Sequence, residues 1–327
     1  MIEDCKALVT QVAPEFLACD SITTIGVGYE IYNGRPTNKL CLQYTLIPES
    51  DEPVGLPASL KTRNNFEITV QLLQRPKRRA LTKVNEESIR HRQQRLDIIA
   101  PGASISSNEG NPGTLGAIVF DRISKMPMML SCQHLMKENE SVFQPKRDVF
   151  DWENYNLCGE TSRSYLGKIG DAAVAKIINR EFTTDILELN ISPQHTAEAQ
   201  LGDLVVKSGA SSGVTFGIVT RVGVIADLHY RAINSQKISC FEITSNTRKQ
   251  SRTTPLCLDG DSGSLWMLDG SDVAVGLHFA GECTSESGSS FALACQVDDV
   301  MNQLGVEFRR TRKLDRIECT GKITLPG

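Results

Sequence analysis

The chain has 327 residues, room for roughly two domains of about 150 residues each, and its 40% hydrophobic content excludes wholesale disorder. Thirty-five Lys and Arg against 39 Asp and Glu leave a net charge of −4, which argues against a basic nucleic-acid binder. No apolar run approaches the roughly 18 residues of a membrane span, and the acidic start Met1-Ile2-Glu3-Asp4-Cys5 does not resemble an export signal, so a cytoplasmic chain with no membrane partner is expected.

Residues 1–74 read as a small α+β unit. Leu8, Val12 and Phe16 recur at helical spacing within Ile2–Leu17. Strands are predicted at Ser21–Tyr32 and Lys39–Ile47, joined across the turn signal Asn33-Gly34-Arg35-Pro36, then a short helix at Leu56–Leu60 and a strand at Phe66–Val70. Gly26-Val27-Gly28 lacks the third glycine of a dinucleotide loop, since position 31 is Ile; a bulge or a close backbone contact is the better reading.

Residues 75–100 hold Arg75, Lys77, Arg78, Arg79, Lys83, Arg90, Arg92 and Arg95 with few apolar neighbours and read as a solvated basic linker. From 101 to 308 the chain breaks into short β-like runs: Thr114–Asp121, Met128–Ser131, Gly167–Ala175, Leu204–Lys207, Thr215–Val224, Cys240–Ile243, Gly263–Leu268 and Val273–Phe279. Short strands at this spacing suggest an antiparallel sandwich or barrel. A basic tail fills 309–327. The ten cysteines form no C-x-x-C pair, so reduced thiols and no structural metal are expected.

The segment most suggestive of chemistry is Asp259-Gly260-Asp261-Ser262-Gly263-Ser264. A hydroxyl nucleophile needs a glycine-rich turn so that backbone can approach a carbonyl and N–H groups can converge on an oxyanion. It also needs a base, oriented by a carboxylate. Of the five histidines, His134 ends an apolar strand where it meets a polar loop; His278, on a buried-looking strand, is its main rival, while His91, His195 and His229 lie in polar stretches. Asp171 opens the apolar run Ala172-Ala173-Val174-Ala175 and must pair with something; Asp185 is the weaker alternative. The order His, Asp, Ser among short strands matches one known arrangement of a catalytic triad.

With Gly113-Thr114-Leu115-Gly116-Ala117, Asp171-Ala172-Ala173-Val174-Ala175, Lys207-Ser208-Gly209, Thr215-Phe216-Gly217 and Gly276-Leu277-His278-Phe279-Ala280-Gly281 beside that turn, the chain resembles trypsin-like serine proteases of the chymotrypsin fold. Over its whole length it resembles the bacterial and plant narrow-leaf-type members, whose front unit is similar to the stretch with Ile25-Gly26-Val27-Gly28-Tyr29. The resemblance implies a mainly β fold, a double six-stranded β-barrel behind a small N-terminal α+β domain. It implies His134 as general base, Asp171 as its orienting partner, Ser262 as nucleophile, and the N–H groups of Gly260 and Ser262 as the oxyanion hole. By offset from the nucleophile it places Leu256 at the floor of the substrate pocket, with Ala280 and Ser289 in its walls. The expected substrate is a polypeptide cut after an apolar or small side chain, with no cofactor and no metal. No Ile-Val-Gly-Gly-like activation terminus precedes the barrel, so control is expected from a protein partner or from the front domain. The alternatives are an idle protease scaffold used for binding, or a proteolytic effector of a bacterial defence system triggered by a partner.

Overall fold

The computed structural model describes residues 1–19, 21–32, 35–46, 56–73, 86–107, 112–145, 155–230, 233–251, 254–282 and 291–309. Helix α1 runs over Ile2–Phe16 and buries Cys5, Leu8, Val9, Ala13 and Phe16, the face its spacing marks as apolar. Ile22–Tyr32 and Arg35–Leu46 pair antiparallel beneath it. The two glycines of the first strand serve close approach: a Cβ on Gly26 would stand 2.6 Å from Val224, and the register slips between Ile25 and Val27. The helix expected at Leu56–Leu60 does not form. Pro57 biases its predecessor toward extended backbone, and five residues cannot repay helix nucleation; Ser59–Lys61 instead pairs with Glu67–Leu73.

The expected strand Thr114–Asp121 bends at Leu115-Gly116, where a Cβ on Gly116 would stand 2.1 Å from the carbonyl oxygen of Gly263. Thr114 ends a separate strand, Pro112–Thr114, that pairs with Ser104–Ser106, and beyond the bend Ala117–Asp121 pairs with Pro127–Ser131. Gly167–Ala175, expected as one strand, is the tip of a hairpin. Leu157–Gly167 turns through Lys168-Ile169 into Gly170–Ile177, with Gly167 opposite Gly170. Counting the bent strand once, six strands make the first circuit: 112–121, 127–131, 170–177, 157–167, 141–143 and 104–106.

A second circuit closes on itself. Leu204–Gly209, Leu265–Leu268, Val273–Glu282, Phe291–Gln296, Ile233–Ser245 and Gly213–Tyr230 pair in that order, and the last pairs back with the first. Gly213–Tyr230 also pairs with Ile22–Tyr32, so the front strands extend the sheet of this ring. Arg221 pins that seam: Nη1 donates to the hydroxyls of Thr24 and Thr45 and pairs with Glu242 Oε2 at 3.0 Å, all buried. Helix α2, Glu86–Arg92, precedes the first circuit, and α3, Val297–Leu304, closes it from below through Val297, Val300, Met301 and Leu304. One apolar cluster spans both circuits; a second joins α1 and the front strands to the second ring. Among the described residues no helix is long and apolar enough to cross a membrane.

Candidate active site

His134 follows the strand Pro127–Ser131, and Asp171 begins Gly170–Ile177, the strand paired beside it. The two side chains meet: His134 Nδ1 and Asp171 Oδ2 are 2.6 Å apart. Asp171 has no exposed surface, and its Oδ1 accepts the backbone N–H groups of Gln133 (2.7 Å) and His134 (3.2 Å). The carboxylate is thus fixed by the loop that carries the imidazole. Burial alone would lower the His134 pKa, but the charge of Asp171 and its hydrogen bond outweigh that, and the net displacement is upward. The ring keeps 24% of its side-chain surface exposed, so it opens to solvent on one side. Asp185 is exposed and takes a hydrogen bond from Ser192.

Ser262 lies in the turn that leads into Leu265–Leu268. This turn is pressed against the His134 strand: the Gly263 N–H donates to the His278 carbonyl at 2.7 Å, and Cys132 Sγ, two residues before His134, donates to the same oxygen at 3.2 Å. Gly263 has φ +92°, and a Cβ there would stand 2.1 Å from Ser131 Oγ and 2.3 Å from the Thr114 carbonyl. No other residue type lets the two circuits approach so closely. Ser262 Oγ donates to the Phe279 carbonyl at 3.3 Å and makes no hydrogen bond to His134 in this state.

The backbone of the turn is aimed by its carbonyls. Thr114 holds two of them, its Oγ1 donating to Gly260 O (2.8 Å) and its N–H to Ser262 O (2.8 Å). Asp261 O accepts from Ser264 N–H at 3.0 Å, so in a planar trans peptide the Ser262 N–H points the opposite way. Gly260, with φ +99°, has a Cβ position only 2.4 Å from Ser211 Oγ. The N–H groups of Gly260 and Ser262 donate to no acceptor among the described residues.

Asp261 supplies the deepest anchor. Its Oδ2 pairs with Lys207 Nζ at 2.8 Å, neither side chain having any exposed surface, and accepts the Leu258 N–H. Oδ1 accepts the N–H groups of Ser211 and Ser212 at 3.0 Å each, and Lys207 also donates to Ser212 Oγ at 2.7 Å. Burial would raise the Asp261 pKa; Lys207, by charge and hydrogen bond, holds it below the usual carboxylate range instead. In the sequence Lys207 belongs to the motif Lys207-Ser208-Gly209 but has no assigned role; its place at the end of an apolar strand marks it as a charge needing a partner.

His278 is fully enclosed, edge-on to Trp266 at 6.3 Å between rings, with no partner on Nδ1. Burial, with the Lys207 charge next, pushes its pKa down to about 3. It therefore stays neutral where His134 titrates. From pH 6.5 down to about 3 the unfolded chain carries a proton on this ring that the folded one does not, so stability falls with falling pH at about 1.4 kcal/mol per unit. His278→Gln is expected to flatten the slope of unfolding free energy against pH in that interval by about this amount, measured by urea melts. An unchanged slope would show that the ring already titrates in the folded protein.

Among the described residues Cys132, His134 and Asp171 are the one group that brings three metal-ligand atoms within 4.8 Å of one another. The donor set does not favour an ion. Both Asp171 oxygens are already engaged, and burial, then the Asp171 charge, raises the Cys132 pKa well above its ordinary value, away from the thiolate that binds metal. Of the pocket residues, Leu256 has no exposed surface and offers its carbonyl to Thr215 Oγ1, Ala280 is half-buried, and Ser289 lies outside the described residues.

No protein-family model and no curated protein matches the chain. Solved structures do. Nocardiopsis protease shares 16% identity at a TM-score of 0.49, over 65% of this chain and 99% of its own. Thermobifida fusca protease A shares 16% at 0.48, over 64% and 98%, and Cellulomonas bogoriensis chymotrypsin 13% at 0.48, over 65% and 99%. At these identities and TM-scores the likeness assigns the chain no family and no activity.

Proposed function

We propose that the chain is a serine endopeptidase acting on polypeptides through an acyl-enzyme. The observation that carries this reading is the 2.6 Å contact between His134 Nδ1 and the buried Asp171 carboxylate, beside a turn whose Gly260 and Ser262 N–H groups meet no acceptor among the described residues. Asp171 keeps the proton on Nδ1, so Nε2 is the nitrogen that accepts one. Ser262 Oγ bonds to the substrate carbonyl carbon as its proton passes to His134 Nε2. The carbonyl oxygen becomes an oxyanion facing the Gly260 and Ser262 N–H groups. The carbon–nitrogen bond then breaks, the amine taking the proton from His134, and water repeats the sequence on the acyl-enzyme to release acid and restore Ser262.

Control by a protein partner or by the front unit is consistent with the front strands sharing a sheet with the second ring. A reducing, cytoplasmic setting, in which the cysteines stay as thiols, belongs to the same reading. A second reading, an idle scaffold that binds peptides, is favoured by the Ser262 hydroxyl resting on the Phe279 carbonyl. Catalytic hydrogen bonds are often unformed without substrate, so this does not displace the first reading. A fluorophosphonate probe separates them. Labelling of the protein, located at Ser262 by mass spectrometry and lost in Ser262→Ala, is the expected result; a wild type left unlabelled while a control protease reacts would leave only the scaffold.

A further inference from the structure

The basic stretch before the first circuit contains a charge that is not solvated. Arg92, the last residue of α2, has no exposed surface. Its Nη1 donates to the Gly102 carbonyl at 3.1 Å and to Ser208 Oγ at 2.6 Å, and its Nη2 pairs with Glu188 Oε1 at 3.1 Å. Two backbone features accommodate it. Gly102 has φ +92°, and a Cβ there would stand 2.9 Å from Nη1 and 2.8 Å from Ser208 Oγ. Glu188 adopts φ +64°, in the left-handed region that a non-glycine residue occupies only under strain. Strain, a glycine and a buried guanidinium at one point indicate a contact the fold is built around.

Both partners of Nη1 lead to the nucleophile turn. Ser208 neighbours Lys207, the cation that holds Asp261. Gly102 donates its N–H to the Leu115 carbonyl at 2.7 Å, and Leu115 neighbours Thr114, which holds the Gly260 and Ser262 carbonyls. The planar fork of a guanidinium can bind two such points at once; a lysine cannot. We propose that Arg92 is a positioning residue for the oxyanion turn, a clasp through which the segment preceding the first circuit keeps both clamps of the turn, Lys207 and Thr114, in place. The proposal rests on the protease reading and gives the regulation of that site a physical route: withdrawal of α2 removes Arg92, loosens both clamps and lowers the reactivity of Ser262 without touching it.

The test measures fluorophosphonate acylation of Ser262 in the full chain, resolved into a binding constant and an acylation rate, beside thermal unfolding. Arg92→Met is expected to slow acylation about a hundredfold at temperatures where it is fully folded, with probe binding unchanged. Arg92→Lys should recover only part of the rate, because it keeps the charge facing Glu188 but loses the fork. If Arg92→Met does not fold, Ser208→Ala, which cuts one link and leaves the ion pair, should slow acylation three- to tenfold. Wild-type acylation in a folded Arg92→Met, or in Ser208→Ala where that variant is the test, would make Arg92 a stability residue only and overturn the proposal, while the protease reading stands. An unreactive wild type would fail that reading first and this proposal with it.

Discussion

Asp171→Asn is expected to cut kcat/KM about ten-thousand-fold while leaving the fold intact. The fold survives because an asparagine Oδ1 can still accept the Gln133 and His134 N–H groups that Asp171 Oδ1 now accepts. The damage falls on the other side. An amide Nδ2 would occupy the place of Oδ2, 2.6 Å from His134 Nδ1, and can only donate there. The imidazole must then accept on Nδ1 and carry its proton on Nε2, the tautomer that cannot take a proton from Ser262. The pH profile gives a second readout. His134 must be neutral to act as base, so activity is lost as pH falls through its folded pKa, which Asp171 holds above 6.5. Without that carboxylate the acid limb of the residual activity should move to lower pH. Steady-state ester hydrolysis across pH, beside circular dichroism, checks both; near-wild-type turnover in a folded Asp171→Asn would remove Asp171 from the mechanism.

His134, Asp171 and Ser262 stood out in the sequence because each departs from its surroundings: an imidazole at the end of an apolar strand, a carboxylate opening another, a serine between glycines. Such departures are local and can be seen without coordinates. Lys207 departs in the same way, a charge after Leu204-Val205-Val206, but the sequence offers 39 carboxylates and no means of choosing Asp261 among them. Arg92 was hidden for the opposite reason, being one of eight cations in a stretch whose composition reads as solvated. Strand identity was read more readily than strand ends. The hairpin at Lys168-Ile169 is bounded by glycines that read equally as strand residues, and the bend at Leu115-Gly116 exists because Gly263, almost 150 residues away, needs the space. Helix α3 went unseen since the strand Phe291–Gln296 runs into it with no turn residue between. What remained illegible was long-range contact, which no local pattern encodes.

Lys207→Met is expected to disable the site from behind, without altering any atom that meets substrate. It leaves the Asp261 carboxylate buried and unpaired, a change that costs about 3–5 kcal/mol in comparable buried pairs. The carboxylate has two escapes. It can take up a proton, which weakens the bonds it accepts from Ser211, Ser212 and Leu258, or it can swing toward water and carry the adjoining turn with it. Either way the Gly260 and Ser262 N–H groups lose their aim, and loss of an oxyanion donor costs about 10²–10³ in rate. Stability and rate are separable with a second change. Lys207→Met with Asp261→Asn holds no unpaired charge and keeps an acceptor for Ser211 and Ser212, so it should regain much of the lost stability in urea melts. Its acylation rate should stay low, because nothing then draws residue 261 toward position 207. Within the second ring Lys207 is thus a permanently installed cation for the carboxylate that precedes Ser262. Wild-type acylation in the folded double variant would show that the turn holds its shape without the pair.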